Sequence, residues 1–341
     1  MQRRYVLIGG GLSVLLLLAL GLGLYASWIA LARHLDQPFE LHEPIIFDLA
    51  PGTSLGQLGT EFARRGWLPY AFELPLGAQL HQLSARIQAG TYEIIPGETP
   101  RLTLQKFAQG RVKTYSATFV EGLTFGQLQH QLASLPGLRL ELSGTSDAEI
   151  MRQVTGVEGS PEGRFFPSTY FYLHHSTDLA LLRRSYHQQT EILQREWDQR
   201  ARDLPYRSAD EALILASIIE RETGAKEERA QIAGVFVRRL QRSMKLQTDP
   251  TVIYGLGAAF SGRLRRADLE RDTPYNTYTR GGLPPSPICA PGAAAIHAAL
   301  HPAAGDALYF VARGDGTHVF SNTLTAHNEA VRTYQIGTQK P

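Results

Sequence analysis

Ser208-Ala209-Asp210-Glu211-Ala212-Leu213-Ile214-Leu215-Ala216-Ser217-Ile218-Ile219-Glu220-Arg221-Glu222-Thr223-Gly224 is the stretch whose reading decides the fold. Ser208 and Glu211 form an S-x-x-E capping signal, so a helix starts at Ser208. Gly224 supplies a stop. Between them apolar residues cover every face, which predicts a buried helix rather than an amphipathic one. Glu220 closes that apolar run. An isolated buried carboxylate is costly in its charged form, so the group keeps its proton more readily. A position in the last helical turn, near the negative end of the helix dipole, adds about 0.3–1 kcal/mol in the same direction. A carboxyl held protonated near neutral pH is what a general acid requires. The competing expectation is a structural ion pair with Arg221, Arg238 or Arg239. Glu222 lies about 200° around the helix and points elsewhere.

Working outward, the second half of the chain alternates helices with short strands, an α+β pattern. Thr114–Val120 reads as a strand and Gln127–Leu135 as a helix. Glu162–Tyr170 is dense in aromatic and turn residues, and a long polar helix follows from Asp178 to about Arg202. Lys226–Met244 carries Ile232, Val235, Phe236, Val237 and Leu240 at helical spacing. Residues 308–312 and 317–321 flank Gly314-Asp315-Gly316, a hairpin signal. A terminal helix is expected from about Thr325 to Tyr334.

Upstream lies a smaller module. Ile45–Leu49 reads as a strand, Leu55–Ala63 as a helix, Tyr70–Ser84 as a second helix and Gly90–Ile95 as a strand. A short helix over Leu102–Ala108 closes at Gly110. The amino terminus is different in kind. Tyr5 to Ala32 contains no Asp, Glu, Lys, Arg or His, and exceeds the roughly 20 residues that cross a hydrocarbon core. Tyr25 and Trp28 suit its far interface. The apolar run is longer than a secretory signal core, and Tyr25-Ala-Ser-Trp28 is a poor cleavage site, which favours an uncleaved anchor. Arg3 and Arg4 before it favour a cytoplasmic amino terminus.

Composition removes several classes. The formal net charge is +2 over 341 residues, with no basic run or aromatic RNA motif, so no nucleic-acid partner is expected. One cysteine, Cys289, excludes an internal disulfide framework and a multi-cysteine zinc site. His297 and His301 are four apart on an expected helix, but no third ligand is evident in the sequence, so no metal and no cofactor are expected. Cys289 lacks a partnering His and reads as a loop or core residue. Gly9-Gly10-Gly11 falls inside the apolar stretch and is no phosphate loop.

The polar chemistry gathers after the helix that carries Glu220. Gln247-Thr248-Asp249 and Tyr275-Asn276-Thr277-Tyr278 are loops of amide, hydroxyl and aromatic groups held by Gly and Pro. That mixture suits a carbohydrate, with ordinary structural turns as the alternative. Asp249 either orients a substrate or caps the helix after Pro250. Asn322, near the last hairpin, is a further candidate.

Taken together, Ala216–Thr223, Leu246–Gly255, Tyr275–Tyr278, Gly282–Pro285, Pro291-Gly292 and Tyr309–Asn328 resemble the endolytic murein transglycosylase (YceG-like) family. Phe119–Gly122 and Phe166–Tyr170 extend the likeness. Ser168, Ser286 and Ala290 stand where many members carry other residues. The resemblance implies a membrane-anchored lyase acting within peptidoglycan glycan strands, with wall synthases as partners. It places the catalytic glutamate at Glu220. The residues themselves suggest Gln247, Thr248, Asp249, Tyr275, Asn276, Tyr278 and Asn322 as the expected substrate contacts. The expected layout is a cytoplasmic tail over 1–4, a transmembrane helix over 5–32 and a polar linker over 33–43. A LysM-like α+β module follows over 44–113, then an α+β catalytic domain over 114–341. The expected location is the inner membrane, with the catalytic domain in the periplasm. The alternative is a non-catalytic, wall-binding scaffold.

Overall fold

The computed structural model describes residues 2–83, 87–222 and 224–336. The chain is a mixed helix-and-sheet protein that divides into two compact units, Met1–Thr114 and Tyr115–Pro341.

Unit 1 begins with helix α1 (Gln2–Asp36), followed by β1 (Ile45–Leu49), α2 (Leu55–Arg64), α3 (Glu73–Leu80), β2 (Gly90–Ile94) and α4 (Pro100–Ala108). Part of α1, Leu15–Asp36, is long and apolar enough to cross a membrane, with a mean hydropathy of 2.1. β1 and β2 pair antiparallel, from Ile45 opposite Ile94 to Leu49 opposite Gly90. α2 starts on a complete capping box between Ser54 and Gln57, and Thr99 caps α4 ahead of Pro100. Both devices satisfy N–H groups that a helix start leaves open. The core holds Phe47, Phe62, Tyr92 and Phe107.

Two expectations change here. The stretch expected as a polar linker is part of this core, because α1 runs on to Asp36 and Leu35 and Phe39 are 1% and 5% exposed. The Phe39 ring packs on Trp67 at 4.6 Å. Leu35, Phe39 and Leu41 are scattered among polar residues, which is why the sequence reads as a linker. α3 is also shorter than expected, since Ala71 and Phe72 form a turn before it. Ser84 lies outside the described residues.

Unit 2 contains β3 (Thr114–Thr118), α5 (Phe125–Ala133), α6 (Asp147–Thr155), β4 (Thr169–Leu173), α7 (Asp178–Asp198), α8 (Ala209–Glu222), α9 (Arg229–Gln241), α10 (Asp249–Leu256), α11 (Arg266–Glu270), α12 (Ala293–Leu300), β5 (Tyr309–Ala312), β6 (His318–Ser321) and α13 (Leu324–Val331). β3 pairs with β4, and β5 with β6. The main core surrounds α8: Leu213, Leu215, Ile218 and Ile219 meet Ile232 and Phe236 of α9 and Ile296 and Leu300 of α12. A second cluster joins Phe119, Phe125, Tyr170, Tyr172 and Leu181. Alanines at 293–295, 298 and 299 keep α12 thin, so it lies close against α8.

The start of α8 is close to the expected one. Ser208 Oγ accepts the Glu211 N–H at 3.3 Å. The Glu211 carboxylate, however, reaches back to the N–H of Arg207 instead of Ser208. α9 begins at Arg229, after a short 3₁₀ turn over Lys226–Glu228.

Candidate functional site

Eight apolar or small residues in a row, Ala212–Ile219, are buried along α8, and they carry Glu220 to the helix end inside the protein. Its side chain is only 5% exposed. One carboxyl oxygen accepts from Arg229 Nη2 at 3.0 Å, and the other accepts the Gly292 N–H at 2.9 Å. Burial pushes the Glu220 pKa above the ordinary carboxyl value, while the Gly292 N–H and Arg229 pull against it and the charge of Glu121 adds to the rise. Burial outweighs the two favourable partners. The ion-pair partner is therefore Arg229, from the start of the next helix, and not one of the three arginines expected from the sequence.

Glu121 completes this cluster. Gly122 N donates to Ala290 O at 2.9 Å and Ala290 N donates to Leu123 O at 2.8 Å. These two bonds stitch the Glu121 segment to the loop that ends at Gly292. A Cβ on Gly292 would lie 1.9 Å from Glu121 Oε1, so any larger residue there would displace that carboxylate. Glu121 also lies 3.9 Å from Arg229 Nη2, and its side chain is half exposed. The loop itself is fixed to α8 by Ser217, whose hydroxyl accepts the Ile288 N–H at 3.0 Å and donates to Ile214 O at 2.7 Å.

Arg221, next along the helix, lines a 650 Å³ groove with Thr124, Gln127, Glu162, Ile253, Tyr254 and Phe260 among its other walls. Glu162 is 6% exposed. It accepts from the Phe125 N–H at the start of α5 and from Tyr254 Oη at 3.1 Å. Burial pushes its pKa up to about 7 against those hydrogen bonds. Cys289 lies between the two carboxyls electrostatically: burial raises its thiol well above the usual range, Glu220 and Glu162 push it further, and Arg221 opposes them. Its Sγ sits 3.3 Å from Ser217 O, inside the core.

The expected sugar contacts do not all converge on Glu220. Thr248 is 2% exposed and its hydroxyl donates to Glu222. Tyr278 Oη donates to Asp249 Oδ1 at 2.7 Å. Gln247, at a positive φ of 52°, faces Arg239 Nη1 at 3.5 Å. These residues gather around Glu222, whose pKa burial pushes up to about 7, with Thr248 opposing and Asp249 adding to the rise. Asp249 is the first residue of α10, and the N-cap residue before it, Thr248, makes no side-chain capping bond.

Asn276 is fully buried. Its Nδ2 donates to the carbonyls of Leu269 and Arg271 at 3.0 and 2.7 Å, and its Oδ1 accepts the Tyr278 N–H. That amide shapes the loop, with its N–H groups turned to the carbonyls of the chain around it. Tyr275 stacks edge-on against Tyr254 at 4.8 Å and bonds Ser286 at 2.8 Å, which puts it behind the groove wall. Asn322 bonds Asp306 at 2.9 Å on an exposed surface.

Sequence reasoning missed Arg229, Glu121, Glu162 and Glu222 as members of buried polar clusters. Glu121 carried a signal, in the Phe119–Gly122 motif. It also missed Glu196 of α7, which lies 2.7 Å from His297 Nδ1 and 3.8 Å from His301 Nε2. That trio is a side-chain cluster on an exposed face, where His297 is 61% exposed and Arg195 already approaches Glu196 at 3.7 Å.

An endolytic murein transglycosylase of Bacillus subtilis is 32% identical over 266 residues, 72% of this chain and 73% of that protein. Another endolytic murein transglycosylase, of Streptococcus pneumoniae, is 26% identical over 82% of this chain and 56% of its own length. The 2.6 Å crystal structure of a YceG-like protein of Listeria monocytogenes superposes with a TM-score of 0.52 at 28% identity, covering 84% of this chain and 99% of that one. The sequence profile of the YceG-like family matches residues 47–333, and the chain belongs to that family.

Proposed function

We propose that this protein is a membrane-anchored lytic transglycosylase that cleaves peptidoglycan strands internally. The observation that carries the proposal is Glu220, a buried carboxyl of raised pKa held between Arg229 and the Gly292 N–H. In this mechanism Glu220 protonates the oxygen between N-acetylmuramic acid and N-acetylglucosamine as the C1–O bond breaks. The C6 hydroxyl of the muramic acid closes on C1 and gives its proton back to Glu220. The products are a 1,6-anhydro end and a free N-acetylglucosamine 4-hydroxyl. No water enters, so one carboxyl serves as acid and then as base. Arg229 Nε is a buried donor without a partner among the described residues. The groove beside Arg221 offers amide, hydroxyl and aromatic groups for the strand.

Helix α1 is the anchor, with its amino terminus in the cytoplasm and the chain that follows it outside, acting on nascent strands near wall synthases. Residues 44–113 form a LysM-like module; the β1–α2–α3–β2 order with antiparallel ends supports that assignment.

A second reading has support in Glu121. Two carboxyls now flank Gly292, and ordinary glycosidases use two. A hydrolase would leave reducing muramic acid ends. The test is product mass on defined glycan strands in ¹⁸O water. Anhydro ends without label, lost in Glu220→Gln and retained in Glu121→Gln, support the lyase. Labelled reducing ends identify the hydrolase. Strand binding without cleavage by the parent protein would leave only a scaffold.

A further inference from the structure

Helix α3 carries its apolar residues on the wrong side for a water-soluble module. Glu73, Leu74, Gly77 and Ala78 face the core of unit 1. Phe72, Leu76 and Leu80, spaced four apart along the opposite stripe, are 62%, 41% and 53% exposed, and Tyr70 beside them is 59% exposed. A solvent-facing helix normally carries polar residues there. An exposed apolar strip of this kind marks an interaction surface.

The neighbour identifies the occupant. α3 lies against the end of α1, and the two are locked together. A Cβ on Gly77 would come within 2.6 Å of Leu35 Cδ1, so glycine permits the close approach. His34 Nδ1 meets Glu73 Oε1 at 2.7 Å across the same contact. Between the helices is a 350 Å³ groove whose walls are Leu24, Trp28 and Leu31 of α1 with Tyr70, Phe72 and Leu76. Leu24 and Trp28 are themselves 64% and 56% exposed. One wall of the groove is therefore the surface of the apolar helix that crosses the membrane. The uncharged stretch runs from Tyr5 to Ala32, longer than the roughly 20 residues a bilayer core needs. Its last turns consequently lie in the headgroup zone. Aromatic pairs Tyr25–Trp28 and Tyr70–Phe72, with centroids 6.4 and 5.6 Å apart, are the residue types that collect there.

We propose that α3 and the Tyr70–Phe72 turn sit in the outer interface of the bilayer that α1 crosses, so that unit 1 rests on the membrane at two points. This rests on α1 being a membrane anchor. α3 has no Lys or Arg, so its contact is with lipid chains and glycerol and not with anionic headgroups. Insertion is accordingly insensitive to salt and to lipid charge.

The test uses the full chain with Cys289→Ala and single cysteines placed by Phe72→Cys, Leu76→Cys, Leu18→Cys or Asp315→Cys. Each carries an environment-sensitive fluorophore and is reconstituted in phosphatidylcholine vesicles. Nitroxide lipids and aqueous iodide are compared as quenchers. Labels at 72 and 76 are expected to quench several-fold more by lipid than by iodide, in low and high salt alike, as the label at 18 does. The label at 315 reports water. If position 18 is lipid-quenched while 72 and 76 follow 315, α3 faces water and the proposal falls, with the anchor intact. If 72 and 76 resist both quenchers and cross-link between molecules, a second copy covers the strip and the proposal also falls. If position 18 itself escapes the lipid quencher, the anchor fails first.

Discussion

At the scale of single residues, Glu220 is balanced by two charges of opposite sign. Arg229 favours its ionised form and Glu121 disfavours it. A general acid works only while protonated, so activity falls as pH rises through its pKa. Removing the Arg229 charge in Arg229→Met raises the Glu220 pKa and moves that fall to higher pH. Removing the Glu121 charge in Glu121→Gln lowers the Glu220 pKa and moves the fall to lower pH. The measurement is kcat against pH on soluble glycan strands for the parent and both variants. Shifts in opposite directions place the titration on Glu220, and identical profiles would remove both neighbours from its environment. In Glu220→Gln the rate itself drops by about 10²-fold or more, the usual scale for a positioned proton donor.

Elements decide whether those residues stay in place. α8 was legible because burial on every side leaves a sequence without polar stripes, and Ser208 marked its start. Its partners were not legible. Arg229 lies nine residues beyond Glu220, and hydrophobic spacing fixes the existence of α9 but not the turn that brings its first residue back. Asn276 was legible as a loop residue, yet composition could not tell whether its amide faces a sugar or the carbonyls of its own loop. Ser217 shows how an element and a loop are coupled. Its hydroxyl is the acceptor for the buried Ile288 N–H, and the segment after Ile288 delivers the Gly292 N–H to Glu220. Ser217→Ala leaves that donor unsatisfied and costs about 1–3 kcal/mol. The expected result is a lower urea midpoint together with a reduced kcat. A midpoint unchanged from the parent would mean that the loop finds another partner.

Over the whole molecule, the long apolar amino-terminal helix, the βααβ order that follows it and the mixed helix-and-sheet second half were readable from the amino-acid order, because length, charge and periodicity are strong at that scale. The burial of Glu162 and Glu222 was not, since a lone Glu in a turn such as Glu162 looks the same whether buried or exposed. Their burial has a consequence for the protein as a whole. Glu162 and Glu222 each have a pKa near 7, raised from 4.5. The folded state therefore binds more protons than the unfolded state between those values. Stability from this source is complete below pH 4.5 and is lost as pH rises through 7. A shift of this size corresponds to about 3 kcal/mol for each group. Unfolding free energy, followed by urea titration with Trp197 as the reporter, is expected to decline from pH 5 to pH 8. Glu222→Gln keeps an acceptor for Thr248 but has no proton to lose, so its decline is smaller by about 3 kcal/mol and it exceeds the parent in stability at pH 8. A parent protein whose stability rises over that interval would show that both carboxyls are ionised in the folded state, and that their partners, rather than burial, set their charge.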